Sequence, residues 1–357
     1  MTGVIGWGSR DWIGEVEGWI GEVVGQRCRL VHRETRPWST LWTVSTGAET
    51  LWFKANCPAQ RSEAGVHAAL ARLVPDYVDA PVAVEPARGW LLTREGGTPL
   101  NHCSPNGSGD MGLATLTAVV RDYAALQRGT VSCGEQLVSA GLRVAHPVDA
   151  AELAASQAEQ LAMLRAGDPR RLTADERDSV LASLPALEKA GRVLTGGAVP
   201  LAFDQSDLFP RNVFSRRLGG PYRFFDFADA VGAHPFGSLL MLVAGCLRWW
   251  RISATVGVVD CRDARVRALV DAYLGCWIDM DGAHLTNPNG LLAASGSWTN
   301  ETCCGFSPGG VAGPCRRFRC RVAGTRQCGW CERSMVGDMW PSSSTRRSGQ
   351  DFDRDSG

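Results

Sequence analysis

The apolar residues change their period at one place, the Gly/Pro-punctuated segment Glu95-Gly96-Gly97-Thr98-Pro99, and that change narrows the fold more than any other feature of the chain. Before it, after an opening helix carrying Trp12, Val16, Trp19, Ile20 and Val23 at helical spacing, come short strand-like pieces. These are Cys28 to Val31, Leu41 to Ser45, Leu51 to Ala55, Val82 to Glu85 and Trp90 to Thr93. His32 to Thr40 reads as a polar turn, Thr46-Gly47-Ala48-Glu49 as a hairpin loop, and Gln60 to Leu73 as a helix ended by Pro75. A small antiparallel sheet carrying one helix is the simplest arrangement for this part.

Beyond the break the pattern is helical. Leu113, Leu116, Val119, Val120, Tyr123 and Leu126 form one stripe, and Val180, Leu181, Leu184 and Leu187 another. Later helices are expected over Pro235 to Trp250 and Cys261 to Ile278. Between the two groups, Asn212 to Ser215 and Tyr222 to Phe225 form a hairpin inserted in the helical part. The fold class is therefore α+β with two lobes: residues 1–97 as the sheet lobe and 98–282 as the helical lobe. Residues 283–357, rich in Gly, Ser, Arg and Cys, lack either period and read as a largely disordered tail.

Composition excludes several classes. The formal net charge is zero, so no overall field favours nucleic acid or an anionic membrane. The apolar run Leu239 to Leu247 is too short to span a bilayer, and the N-terminus lacks the basic and apolar blocks of a secretory signal. A cytoplasmic chain, monomeric or homodimeric, is the expectation. Seven of the 13 cysteines are scattered singly, as buried thiols in a reducing compartment would be. The others, Cys303, Cys304, Cys315, Cys320, Cys328 and Cys331, lie in the tail, where one loose spacing and Gly/Arg/Ser surroundings argue against a zinc site. Only Lys54 and Lys189 are lysine among 37 basic residues. A lysine in such a chain marks a place that wants a compact ammonium, or is there by chance.

The segment Asp204-Gln205-Ser206-Asp207-Leu208-Phe209-Pro210-Arg211-Asn212 is followed by Asp226 within Phe225-Asp226-Phe227-Ala228-Asp229. Phosphoryl transfer needs a group that orients and deprotonates the acceptor hydroxyl, and hard oxygen ligands that hold a divalent cation against phosphates. An Asp in a loop, an Asn opening a hairpin and an Asp at its far end meet that need. Alone, Asp207 is an ordinary turn residue; the hairpin and Asp226 make the pattern chemical.

These residues resemble the aminoglycoside phosphotransferase family, small-molecule kinases with a protein-kinase-like fold. Asp207 through Asn212 is similar to its His-Gly-Asp-Leu-His-x-x-Asn catalytic loop, and Phe225-Asp226-Phe227 to its second metal-binding strand. Trp52-Phe53-Lys54-Ala55 resembles its phosphate-contacting strand and Arg36-Pro37-Trp38-Ser39-Thr40 its shortened nucleotide loop. The resemblance spans roughly residues 10–280. It implies Asp207 as catalytic base or orienting residue, Asn212 and Asp226 as Mg²⁺ ligands, and Lys54 on the phosphates of ATP or GTP with Glu63 as its ion-pair partner. It also implies Ser39 near phosphate and Glu95 beside the base of the nucleotide. The acceptor would be a small hydroxyl compound: an aminoglycoside-like antibiotic, an amino alcohol, a sugar or another metabolite. The family's histidine before the catalytic Asp is Gln205 here, and its second histidine is Phe209. Gln can donate and accept, so support of the loop could survive the change. The alternative is a catalytically weak or silent nucleotide-binding relative.

Overall fold

The computed structural model describes residues 6–47, 49–103, 111–197, 199–215, 219–250 and 263–280. All of them fall in the unit Met1–Arg317. The Cys-rich tail and its zinc question lie outside the described residues, as does Cys261.

Helix α1 (Arg10–Val24) starts where the Ser9 hydroxyl accepts the Trp12 backbone N–H at 3.2 Å. It lies on a five-stranded antiparallel sheet made of β1 (Arg29–Thr35), β2 (Ser39–Ser45), β3 (Thr50–Asn56), β4 (Ala83–Glu85) and β5 (Trp90–Arg94), in the order β1-β2-β3-β5-β4. Trp12 and Trp19 of α1 pack on Trp42, Phe53 and Trp90, with ring centroids 5.6 to 6.4 Å apart. That aromatic layer, with Val16, Ile20, Leu51 and Leu92, is the core of the first lobe.

Two expectations for this lobe need correction. The stretch His32–Thr35 is strand, not turn, so the turn shrinks to Arg36–Trp38. β1 is an edge strand with no buried residue, so no apolar alternation marks its second half. Helix α2 (Glu63–Leu73) begins three residues later than its periodicity suggests, because Cys57–Ser62 turns first.

The second lobe is mainly helical, with α3 (Leu113–Thr130), α4 (Gly134–Ser139), α5 (Ala150–Ala162), α6 (Ala174–Gly196), α7 (Gly237–Trp249) and α8 (Ala264–Leu274). Its core gathers Leu116, Val120 and Tyr123 of α3 with Phe203, Phe224, Phe236, Tyr273 and Trp277. The inserted hairpin is present as β8 (Val213–Phe214) and β9 (Arg223–Phe224), shorter than its sequence suggests. A second small sheet, unexpected from sequence, pairs β6 (Arg143–Val144), β7 (Ala202–Asp204) and β10 (Val231–Ala233) in the order β6-β10-β7. Strands of two or three residues are too short to carry a period. Helix α5 was also unforeseen, because its buried face is made of the alanines Ala150, Ala154 and Ala158.

The architecture is the two-lobed, kinase-like one: an antiparallel-sheet lobe followed by a mainly helical lobe. Of the six described single cysteines, Cys57 and Cys246 are buried, Cys28, Cys133 and Cys276 half-buried and Cys103 exposed, so burial is not general among them. Among the described residues no helix is long and apolar enough to cross a membrane.

Candidate active site

Side chains of β3 alternate between its two faces. Leu51, Phe53 and Ala55 turn into the α1 core, which leaves Lys54 and Asn56 on the opposite face. There Lys54 Nζ lies 2.7 Å from Glu63 Oε2 and 2.7 Å from Asp226 Oδ1. Glu63, at the first turn of α2, is 1% exposed, and its other partners are Asn56 Nδ2 at 2.6 Å and the Phe227 backbone N–H at 3.1 Å. Burial opposes the Lys54 charge, but Asp226 and Glu63 outweigh it and hold the ammonium above its ordinary range. For Asp226 burial works against ionisation, and the Lys54 ammonium overcomes it and keeps the carboxyl below the usual range.

β7 ends at Asp204, so the second sheet is the platform from which the loop Gln205–Phe209 springs. Below it, Asp204 accepts from the Ser238 hydroxyl and from the Ser206 backbone N–H at 2.7 Å. Ser238 also bonds Tyr123 Oη at 2.6 Å, and Tyr123 Oη accepts the Gln205 N–H at 2.9 Å. The Gln205 side chain, fully buried, donates to the carbonyls of Phe225 at 2.6 Å and Asp226 at 3.4 Å. Ser206 and Asp226 are the two described non-glycine residues with positive φ, at 58° and 63°. Such backbone is tolerated only where its surroundings hold it, and here it flanks the charged cluster on both sides.

Asp207 sits half-buried at the loop tip. Arg211 Nη2 donates to its two oxygens at 2.9 and 2.8 Å, and Asn212 Nδ2 donates to Oδ2 at 2.9 Å and to the Asp207 carbonyl at 2.9 Å. Burial raises the Asp207 pKa and Asp226 adds to the rise, so that Arg211 offsets it only in part. Asp229, three residues past Asp226, accepts from Gln60 Nε2 at 2.7 Å. Its pKa is pushed up to about 6, by desolvation first and then by Asp207 and Asp226.

The segment joining the lobes packs directly on the hairpin. Gly96 lies so close to the Phe214 ring that a Cβ there would come within 1.9 Å of it. Phe214 stacks on Phe225 with centroids 4.0 Å apart, while Ser215 N–H donates to the Thr98 carbonyl at 2.9 Å.

Five of the residues singled out in the sequence thus meet: Lys54, Glu63 and Asp226 in one ion-paired group, with Asp207 and Asn212 beside it. Phe225 N–H, next to Asp226, donates to the Asn212 carbonyl at 3.2 Å and ties the two groups together. Ser39 opens β2 opposite Asn56, and Glu95 follows β5 at the surface; both stand on the surrounding backbone. Sequence reasoning assigned nothing to Arg211, Asn56 or Gln60. Arg211 is four residues from Asp207 and Asn56 shares the strand face of Lys54, so spacing held a signal for both; nothing local pointed Gln60 at Asp229.

Among the described residues no group of three or more His, Cys, Asp or Glu side chains could hold a metal. Mg²⁺ asks less of a protein: one or two oxygen ligands, with phosphate and water completing the shell. Asn212 Oδ1 is buried without a hydrogen-bond partner while its Nδ2 is fully used, so its free oxygen suits that demand.

No family model and no curated protein matches the chain. Solved structures do match in fold. A candidate aminoglycoside phosphotransferase from Ralstonia eutropha superposes with a TM-score of 0.53 at 16% identity, covering 82% of this chain and 87% of its own. A type I macrolide 2'-phosphotransferase gives 0.52 at 10% identity, covering 83% and 91%. An ethanolamine kinase from Plasmodium vivax gives 0.53 at 10% identity, covering 77% and 74%. At such identities the likeness is one of fold alone: the chain shares the two-lobed, kinase-like architecture of these structures.

Proposed function

We propose that this protein transfers the γ-phosphoryl group of a nucleoside triphosphate, ATP or GTP, to a hydroxyl of a small molecule. The observation that carries this reading is the meeting of Lys54, Glu63 and Asp226 with Asp207 and Asn212, gathered from two lobes around one patch of buried charge. A bare structural ion pair would need neither the partnerless amide oxygen of Asn212 nor the two positive-φ residues beside it.

In this reading Asp207 orients the acceptor O–H and takes its proton, a role suited by a pKa above the ordinary carboxylate range. Lys54 leaves part of its present pairing to hold the phosphates, and Glu63 keeps it aimed. Asn212 Oδ1 and the Asp226 carboxylate would hold Mg²⁺, which when bound neutralises charge on the phosphate oxygens. Ser39 and the turn before it would border the phosphates, and Glu95 the base. The structural neighbours, a candidate aminoglycoside phosphotransferase, a macrolide phosphotransferase and an ethanolamine kinase, favour a small-molecule hydroxyl acceptor.

The test is a nucleotide-consumption screen with magnesium ATP and GTP against aminoglycosides, macrolides, amino alcohols and sugars, with mass spectrometry of the product. A product heavier by one phosphoryl group is expected. Asp207→Ala should lower transfer by about 10³-fold or more and leave nucleotide affinity within a few-fold. Transfer at the wild-type rate in that variant would reject the assignment. Nucleotide binding without turnover on any acceptor would favour a silent binding protein.

A further inference from the structure

The proton-accepting role of Asp207 meets an obstacle in the structure itself. Arg211 Nη2 is shared between both oxygens of the carboxylate, and Asn212 Nδ2 takes one of them as well. An acceptor hydroxyl has to donate to that same carboxylate. Resting on the phosphotransfer reading, we infer that Arg211 is a phosphate-responsive latch: it holds Asp207 until a triphosphate draws the guanidinium away, then serves the phosphoryl group being transferred.

Three observations support this role. Among the described residues only Nη2 of the fork is engaged, so Nε and Nη1 keep their donors for a ligand. The side chain is 34% exposed, so solvent reaches it, and its guanidinium lies 4.4 Å over the Phe209 ring, a contact that does not use its N–H donors. Its charge also bears on Asp226, so one guanidinium acts on both the proton acceptor and the carboxylate beside Lys54. The charged groups bearing on Asp207 are Arg211, Asp226 and Asp229, with the Asn212 amide on Oδ2. Of these, Arg211 alone is cationic.

A phosphate with two or more charges competes better than one carboxylate for a guanidinium, because it carries more negative charge and can also engage the Nε and Nη1 donors that Asp207 leaves unused. Once Arg211 moves, the acceptor O–H donates to Asp207. Its oxygen then bonds the γ-phosphorus as its proton passes to the carboxylate, and the bond between the γ-phosphorus and the β–γ bridging oxygen breaks. The nucleoside diphosphate leaves with that electron pair. Nucleotide therefore binds before acceptor, and Arg211 faces the equatorial oxygens where charge gathers.

The experiment compares wild type, Arg211→Ala and Arg211→Lys in the full chain, with denaturation curves as the check on folding. Titration with a fluorescent magnesium ATP analogue should show affinity weakened about 10-fold in Arg211→Ala, with Arg211→Lys in between. Turnover should fall about 10²- to 10³-fold in the alanine variant. Unchanged affinity and turnover would overturn the latch. So would faster turnover at unchanged nucleotide affinity, which would make Arg211 a restraint that never meets phosphate. If wild type transfers to no acceptor, the phosphotransfer reading fails, while the binding comparison still decides whether Arg211 meets phosphate.

Discussion

The side-chain amide of Gln205 donates to the Phe225 carbonyl at 2.6 Å, and so fastens the loop bearing Asp207 to the strand end bearing Asp226. In the sequence this glutamine stands where the related motif has histidine, a departure that put the site in question. Here the Gln205 amide N–H supplies the donor that ties the loop to Phe225. Gln205→Leu should strand the Phe225 carbonyl and free the strained Asp226 backbone, at a cost of about 1–3 kcal/mol. Gln205→His should keep most of that stability. Urea denaturation of the two variants, with nucleotide titration, checks both; equal loss in both would mean that shape, not the donor, matters.

Lys54 is the sole cation bonded to the buried Glu63 carboxylate among the described residues. Lys54→Met leaves the buried Glu63 carboxylate without its cation and removes the ion pair of Asp226, and about 3 kcal/mol of stability should go with it. The double variant Lys54→Met/Glu63→Gln should be more stable than Lys54→Met alone, because the stranded charge is removed. Denaturation of the four members of the cycle measures the coupling. Nucleotide affinity should fall in both Lys54 variants whether or not stability is restored.

Asp204 is 3% exposed, and burial pushes its pKa up to about 6 against the hydrogen bonds from Ser238 and Ser206. In the unfolded chain its pKa is about 4. Between about pH 4 and 6 the folded form therefore holds a proton that the unfolded form has released. Its contribution to stability is fully present below pH 4 and is lost as the pH rises through about 6, a change on the order of 2 kcal/mol. Asp204→Asn should flatten this part of the stability profile between pH 4 and 7 in denaturation curves, since an amide does not titrate. An unaltered slope would mean that Asp204 ionises as it does in the unfolded chain.

Gly96 has no room for a side chain against Phe214. Gly96→Ala should push the ring off its stack on Phe225 and cost about 1–3 kcal/mol. Nucleotide affinity should drop with it, since Phe225 precedes Asp226. Adding Phe214→Leu to Gly96→Ala should recover part of the loss by making space. Thermal unfolding of the single and double variants tests this, and no recovery would place the strain elsewhere.

The order of the lobes, the opening helix, most of the first sheet and the long helices could be read from sequence, because each buries a face whose period repeats over many residues. The five residues at the centre could be named from their spacing and from the resemblance that spacing supports. Other elements left no such trace. β1 is a polar edge, β6, β7 and β10 are two or three residues long, and α5 packs through alanines. Only the tertiary structure decided how the charges meet. Lys54 and Asp226 are 172 positions apart, and their contact is set by how two lobes close on each other, as is the pairing of Gln60 with Asp229. The occupation of both Asp207 oxygens by Arg211 belongs with these, although the two residues are neighbours in the chain. Spacing permits that contact, but the φ of Ser206 and the Phe209 ring beneath the guanidinium are what form it. Periodicity records what a residue buries, whereas the partner of a charge depends on which segments the fold brings within a few ångströms.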